Sequence, residues 1–286
     1  MIVDFHTHPM MIKELLENSP DLSRAVQDVF GLKFPAQPLS IFLLEMNEAQ
    51  VDRAVLLPLD CTSRHDCVIV SNEQVAELCD KHPEFIGFAS VDPGDPAAVK
   101  KLEHAVKGLG LQGLKLNPAL QGFEINDQKS AYAIYQVCVE LDIPVLIHCG
   151  LCWAPSGLAR YAHPLLLEEV VQAFPTLKIV IAHFAWPWVN EAVMLALKYP
   201  NVYLDTAILY SGTPSNAYQD VIGNKVGKLV LERSLREKVI FGSNYPRVDI
   251  RRSVRGINDL NLSPELCQNI FYDNACRILD TERSKV

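Results

Sequence analysis

The stretch IVDFHTHP, residues 2–9, runs an apolar segment straight into two histidines one residue apart. Read as a strand, it puts His6 and His8 on one side, because residues i and i+2 share a face. Seven further stretches follow the same plan. They are RAVLLP from Arg53, FIGFASV from Phe85, LQGLKL from Leu111, IPVLIH from Ile143, KIVIAH from Lys178, VYLDTA from Val202 and KVIFGS from Lys238. Each is short, rich in β-branched residues and almost continuously apolar, as strands covered on both faces must be.

Helical patterns separate them. DPAAVKKLEHAV offers Asp95 as an N-cap and Pro96 at the first helical position. DQKSAYAIYQVCVELD places Ala131, Ile134, Tyr135 and Val137 on one face, and SPELCQNIFYDNACRIL starts from Ser263 before Pro264. Eight strands alternating with helices predict an α/β chain folded as a (β/α)8 TIM barrel, a single domain over 1–286. An open doubly wound sheet would want a glycine-rich phosphate turn where this chain has HTHP. Residues 10–48 exceed an ordinary βα connection. They read as a helical insert with two helices and the turn-rich FGLKFPAQPLS, capping the barrel mouth.

The composition is that of a globular chain, with 49% hydrophobic and 21% charged residues. A net charge of −8 argues against nucleic acid or an anionic membrane as partner. The longest apolar runs are far too short to span a bilayer, and no targeting segment is visible, so a cytoplasmic address is expected. The 8 cysteines are scattered. Only Cys149 and Cys152 are close, and reduced thiols explain them better than a zinc or redox pair.

The polar candidates cluster at strand ends. His6 and His8 end the first strand, Lys115 and Asn117 the fourth, His148 the fifth, His183 the sixth, Asp205 the seventh and Asn244 the eighth. Barrel geometry gathers these ends over one mouth. Four strand-end histidines among 8 in the chain are poor core packing and good ligands for a first-row divalent ion.

DFHTHP, IHCG, IAHFAW and FGSNYP together resemble the signature segments of the amidohydrolase superfamily. They are most similar to its amidohydrolase-related (amidohydrolase 2) branch, which includes aminocarboxymuconate-semialdehyde decarboxylase. The resemblance runs in order from residue 1 to about residue 250. It implies His6, His8 and His148 as metal ligands and His183 as the acid or base beside a metal-activated water. It implies one divalent metal ion, zinc before manganese, and it admits a homodimer. Asn244 falls where the branch has an aspartate that touches the metal and takes a proton. An amide oxygen still ligates, but it is uncharged and a very poor base. An introduced Asp-to-Asn change, a different base such as His183 or Asp205, or a natural non-catalyst would each account for it. Asparagine is also common in strand-to-loop turns for local backbone reasons.

Lys115 reads as a cation for a substrate carboxylate, as a carbamylated metal bridge, or as a snorkelling surface lysine. Arg247 is a second anion-binding candidate. Trp153, Trp186 and Trp188 follow strands five and six and suit a pocket wall for a flat substrate, although each alone is ordinary packing. The expected activity is metal-dependent hydrolysis of a small carboxylate-bearing or aromatic substrate at a C–N, C–O or ketone-adjacent C–C bond. The catalytic residues would be His183 and Asn244. The ligands would be His6, His8, His148 and Asn244, and the substrate would meet Lys115, Trp153, Trp186 and Arg247. The alternative is nonoxidative decarboxylation. An alternative of another class is a ligand-binding protein impaired by Asn244.

Overall fold

The computed structural model describes residues 1–17, 19–33, 35–207 and 212–280. The range 1–286 and the insert 10–48 therefore both include positions outside the described residues. All eight apolar stretches form parallel strands: β1 (Val3–Thr7), β2 (Arg53–Leu56), β3 (Phe85–Gly87), β4 (Leu114–Leu116), β5 (Val145–Ile147), β6 (Ile179–Ile181), β7 (Val202–Asp205) and β8 (Val239–Ile240). β1–β2–β3 pair as one set and β4 to β8 as another.

Two seams close the circle. Ala89 and Lys115 join β3 to β4 through Ala89 N–H to Gly113 O and Lys115 N–H to Ala89 O, both 2.7 Å. Phe5 N–H to Phe241 O at 2.9 Å, Asn244 N–H to His6 O and His8 N–H to Tyr245 O, both 2.8 Å, join β8 to β1. The sheet is thus a closed barrel with no open edge, which settles it against the doubly wound alternative. Gly242 makes the second seam possible: a Cβ there would lie 2.8 Å from His6 Cβ.

At least one helix follows each strand, among them α1 (Leu39–Glu48), α2 (Asn72–Lys81), α3 (Ala98–Lys107), α4 (Tyr132–Glu140), α5 (Leu167–Ala173), α6 (Val189–Lys198), α7 (Pro214–Tyr218) and α8 (Ile250–Asn258). Alternate residues divide the core. Ala54, Leu56, Leu114, Leu116, Ile179 and Ile181 pack outward under the helices. Val3, Phe5, Val55, Leu57, Leu146 and Val180 pack inward on one another. α3 starts later than its pattern predicts. Asp95 spends its carboxylate on Ala97 N–H at 2.8 Å, so Pro96 sits in a turn before the first helical residue, Ala98. Between β1 and α1 the insert holds the helices Lys13–Leu16 and Pro20–Asp28, the second capped by Ser19. That is one short helix more than its sequence suggests. A two-stranded antiparallel pair, Leu59–Asp60 with Val68–Ile69, follows β2.

Candidate metal centre

Strand parity delivers part of the site directly. Lys115, His148, Asp205 and Asn244 share register with the inward residues of β4, β5, β7 and β8. Parity alone would turn His6 and His183 outward, since Val3, Phe5, Val180 and Ala182 already face in. Two local devices re-aim them. A register shift in β1 between Asp4 and Thr7 turns His6 and His8 inward, a common use of a β-bulge. After β6, His183, Phe184 and Ala185 take φ of +62°, +46° and +49° in succession. Left-handed backbone costs a non-glycine residue about 1–2 kcal/mol, and this buried run spends that strain at the site.

The result is one cavity lined by His6, His8, Lys115, His148, His183 and Asn244, with Phe30, Trp153 and Arg247 nearer the mouth. The ring nitrogens are sorted by their partners. His6 Nδ1 lies 2.7 Å from Asp205 Oδ2, His8 Nδ1 lies 3.0 Å from Leu57 O, and His183 Nδ1 lies 2.7 Å from Ala207 O. Those oxygens only accept, so each Nδ1 carries the proton and each Nε2 keeps a bare lone pair. His6 Nε2 and His8 Nε2 then face each other at 3.2 Å, acceptor against acceptor. His148 donates Nδ1–H to His183 Nε2 at 3.1 Å, which leaves the buried His148 Nε2 with no partner. Facing lone pairs and an orphaned imidazole nitrogen are the donor set a divalent ion fits.

By distance alone, His6, His183 and Asp205 place ligand atoms within 4.8 Å of one another, a group able to hold such an ion. Asp205 is nevertheless fully engaged. Its Oδ2 takes His6, and its Oδ1 accepts from His183 N–H at 2.7 Å and Ala207 N–H at 3.1 Å. It therefore sits behind His6, fixing tautomer and ring direction as carboxylates do behind histidines that ligate metals.

Burial keeps the imidazoles neutral. It drives His6, His8 and His148 well below the ordinary histidine range and holds His183 at about 4. Burial also lowers Lys115 to about 8, with Asp205 pulling the other way. Lys115 is only 2% exposed, which excludes the snorkelling reading. Its ammonium meets no ion-pair partner among the described residues. Neither Asp nor Glu lines the cavity among those residues.

Two expectations need correction. Trp186 does not line the cavity; its side chain packs against the hydrophobic core. Trp188 likewise packs on His163 with tilted rings, 4.5 Å between centroids, leaving Trp153, 57% exposed, as the tryptophan of the mouth. One contributor carried too little signal to be singled out: Phe30 opens the turn-rich FGLKFPAQPLS of the insert. Asp205, named as a strand-end candidate and possible base, stands behind His6, and Cys152, read as a reduced thiol, lines the cavity. All eight cysteines are unpaired, with Cys149 buried and Cys152 at the cavity wall.

The fold and the four-histidine centre define a metal-binding barrel of the amidohydrolase type. The family model Amidohydro_2, described as Amidohydrolase, matches residues 3–281, and the chain belongs to that family. It is 26% identical over 247 residues to 2-keto-4-carboxy-3-hexenedioate hydratase of Sphingobium sp., covering 75% of this chain and 67% of that protein. An uncharacterized TIM-barrel protein from Bordetella bronchiseptica superposes with a TM-score of 0.75 at 22% identity, covering 98% of both chains. 5-Carboxyvanillate decarboxylase from Novosphingobium aromaticivorans, solved with manganese and 4-hydroxy-3-methoxy-5-nitrobenzoic acid, superposes at 0.69 with 16% identity. That match covers 98% of this chain and 96% of the decarboxylase. These structural likenesses establish the barrel. The named activities belong to a hydratase and a decarboxylase, neither of them a hydrolase. Among the described residues, no helix is long and apolar enough to cross a membrane.

Proposed function

We propose that the protein is a metal-dependent lyase for a small carboxylate-bearing substrate, its leading reaction being addition of water to a conjugated double bond or the reverse. This reading replaces hydrolysis. One observation carries it: neutral imidazoles converge on a cavity that also holds a buried ammonium and that, among the described residues, no Asp or Glu lines. Such a lining attracts an anion and repels no substrate carboxylate. The likeness in sequence to a hydratase supports water addition.

His6 and His8 would hold the ion through Nε2, with the orphaned His148 nitrogen as third ligand and the Asn244 amide oxygen beside them. Asp205 orients His6. A bound manganese or zinc ion supplies Lewis acidity, polarising a substrate oxygen and easing loss of a proton from water. Lys115 grips a carboxylate and fixes the substrate against the histidines. His183 keeps its Nδ1–H on Ala207 O, so its proton exchange runs through Nε2, the nitrogen that faces His148; there it would accept from water and return the proton to carbon.

A second reading, nonoxidative decarboxylation, has its own support. With a pKa of about 4, His183 is a weak base for water, and loss of CO2 needs no water activated. In that case Lys115 orients the departing carboxylate and a neighbouring proton donor quenches the carbanion. Neither reading needs a carboxylate at position 244.

The test is a metal-loaded incubation in D2O with three panels, unsaturated 2-oxo dicarboxylates, hydroxylated benzoates, and simple amides, esters and lactones, followed by NMR and CO2 detection. Water addition with deuterium at the neighbouring carbon is expected. CO2 release without water addition selects the second reading. Turnover confined to amides, esters or lactones refutes both. Metal-dependent binding without turnover across all panels selects the non-catalytic alternative.

A further inference from the structure

Phe30 touches two parts of the centre at once. Its ring stands edge-on to His8, with centroids 5.3 Å apart and planes at 64°. The face of the same ring carries the Arg247 guanidinium, 4.7 Å from the centroid. That guanidinium also donates an Nη2–H to the Phe30 carbonyl. One residue of the insert therefore holds one arginine by ring face and by backbone oxygen, while the arginine's own N–H is tied to Asn244 O at 3.0 Å. Phe42 of α1 repeats the connection one step away, stacked on Tyr245 at 4.4 Å and 11°. The insert and the loop after β8 are thus pinned together directly above the histidines.

The space beneath is small. The cavity leaves about 30 Å³ for the centres of water-sized occupants, room for a few waters. An organic substrate that reaches the histidines meets Phe30, Trp153 and Arg247 at the wall. His6 and Lys115 sit on barrel strands and His148 directly follows one, whereas Phe30 and Arg247 come from connections. A substrate carboxylate arriving at the mouth competes with the Phe30 carbonyl for the guanidinium, and a planar cation on an aromatic face slides without losing its attraction.

We infer that Phe30 is a positioning residue: it holds Arg247 as the roof of the cavity and so sets which solutes reach His8 and the ion the histidines hold. This rests on reading the cavity as the reactive site, but the roof can be tested with neither metal nor substrate. Metal-free protein is treated with diethyl pyrocarbonate, which acylates neutral imidazole. Modification of His6 and His8 is followed by mass spectrometry on the tryptic peptide 1–13, with His65, His104 and His163 as references.

Phe30→Ala should accelerate modification of His6 and His8 about fivefold or more, leaving the references unchanged. Phe30→Tyr, which keeps the ring face, should retain the wild-type rate. Arg247→Ala should match Phe30→Ala, and the double variant should be no faster than the faster single, because both remove one structure. An Arg247→Ala rate equal to wild type, or increments that simply multiply in the double variant, overturns the inference. Should Phe30→Ala also accelerate the reference histidines, it has loosened the whole fold, and Arg247→Ala with Phe30→Tyr then decides. A protein that binds no manganese, or turns over no lyase substrate, defeats the proposed function and leaves these rates as they are.

Discussion

Asp205→Asn isolates the group that sets the tautomer of the centre. In the wild type, Asp205 Oδ2 receives His6 Nδ1–H at 2.7 Å while Oδ1 receives two backbone N–H groups. An asparagine has one acceptor oxygen for these three donors. If the oxygen stays on His183 and Ala207 N–H, its amide N–H₂ confronts His6 Nδ1–H, donor against donor. His6 then moves its proton to Nε2 and loses the lone pair that faces His8. Loss of a partner behind a ligating histidine typically costs 10–100-fold in metal affinity, about 1.4–2.7 kcal/mol. The assay is zinc or manganese titration of metal-free protein against a competing chelator, with far-UV circular dichroism as the check on folding. Asp205→Asn should fold and bind the ion at least about tenfold more weakly. His6→Ala should abolish stoichiometric binding. A folded Asp205→Asn protein with unchanged affinity would show that Asp205 does not act through His6, and the orientation assigned to the ring would be wrong.

Lys115→Met should lower kcat/KM by about 100-fold, a charged hydrogen bond being worth roughly 1.5–3 kcal/mol, with metal content by elemental analysis unchanged. In the wild type, KM for an anionic substrate should climb as pH rises through the Lys115 pKa of about 8. His183 titrates at about 4 in the folded chain against an ordinary 6.5. The unfolded chain therefore binds more protons between those values. Metal-free protein should lose stability as pH falls from 6.5 to 4, by at most about 3 kcal/mol from this residue; His183→Gln should flatten that part of a urea-melt series. Asp4 runs the other way, raised by burial to about 7 from 3.8. Its favourable protonated form is fully present below 3.8 and lost as pH rises through 7. Asp4→Asn should thus gain on metal-free wild type across that window, by at most about 4 kcal/mol.

The barrel was legible because apolar strands covered on both faces leave a run of consecutive large residues that polar loops interrupt. All eight runs carry strands. The site was legible where the period of two carries through to the strand end, as at Lys115, His148 and Asp205. It was legible for His6 and His8 only as a pair, since their spacing survives a register shift that nothing in IVDFHTHP announces. His183 was found by residue type and place. Its inward aim comes from three successive left-handed residues, His183, Phe184 and Ala185, none a glycine or an asparagine. Long-range closure imposes that backbone, so local propensity could not show it. Trp186 shows the converse: the right place in the sequence, but a half-buried side chain packed against the core. Phe30 lay beyond reach because its importance arises from contacts with His8 and Arg247, more than 20 and 200 residues away along the chain.

Position 244 joins backbone and charge. Asn244 has φ of +63° and passes its N–H to His6 O, so the turn that seals β8 against β1 demands a left-handed residue there. Asparagine and aspartate both take that conformation more readily than other non-glycine residues. The backbone thus admits either, and the choice between them is electrostatic. With asparagine, a divalent ion held as proposed among these neutral imidazoles would share the cavity with the Lys115 ammonium and the Arg247 guanidinium, offset by Asp205 and by whatever anion binds. A second buried carboxylate would tighten the ion and weaken the attraction for the substrate. Asn244→Asp should therefore raise metal affinity while raising the Kd for an unsaturated dicarboxylate such as fumarate, both measured by calorimetry on one preparation. Affinities that move together, or a fumarate Kd that does not change, would mean that the cavity does not select its ligand by charge.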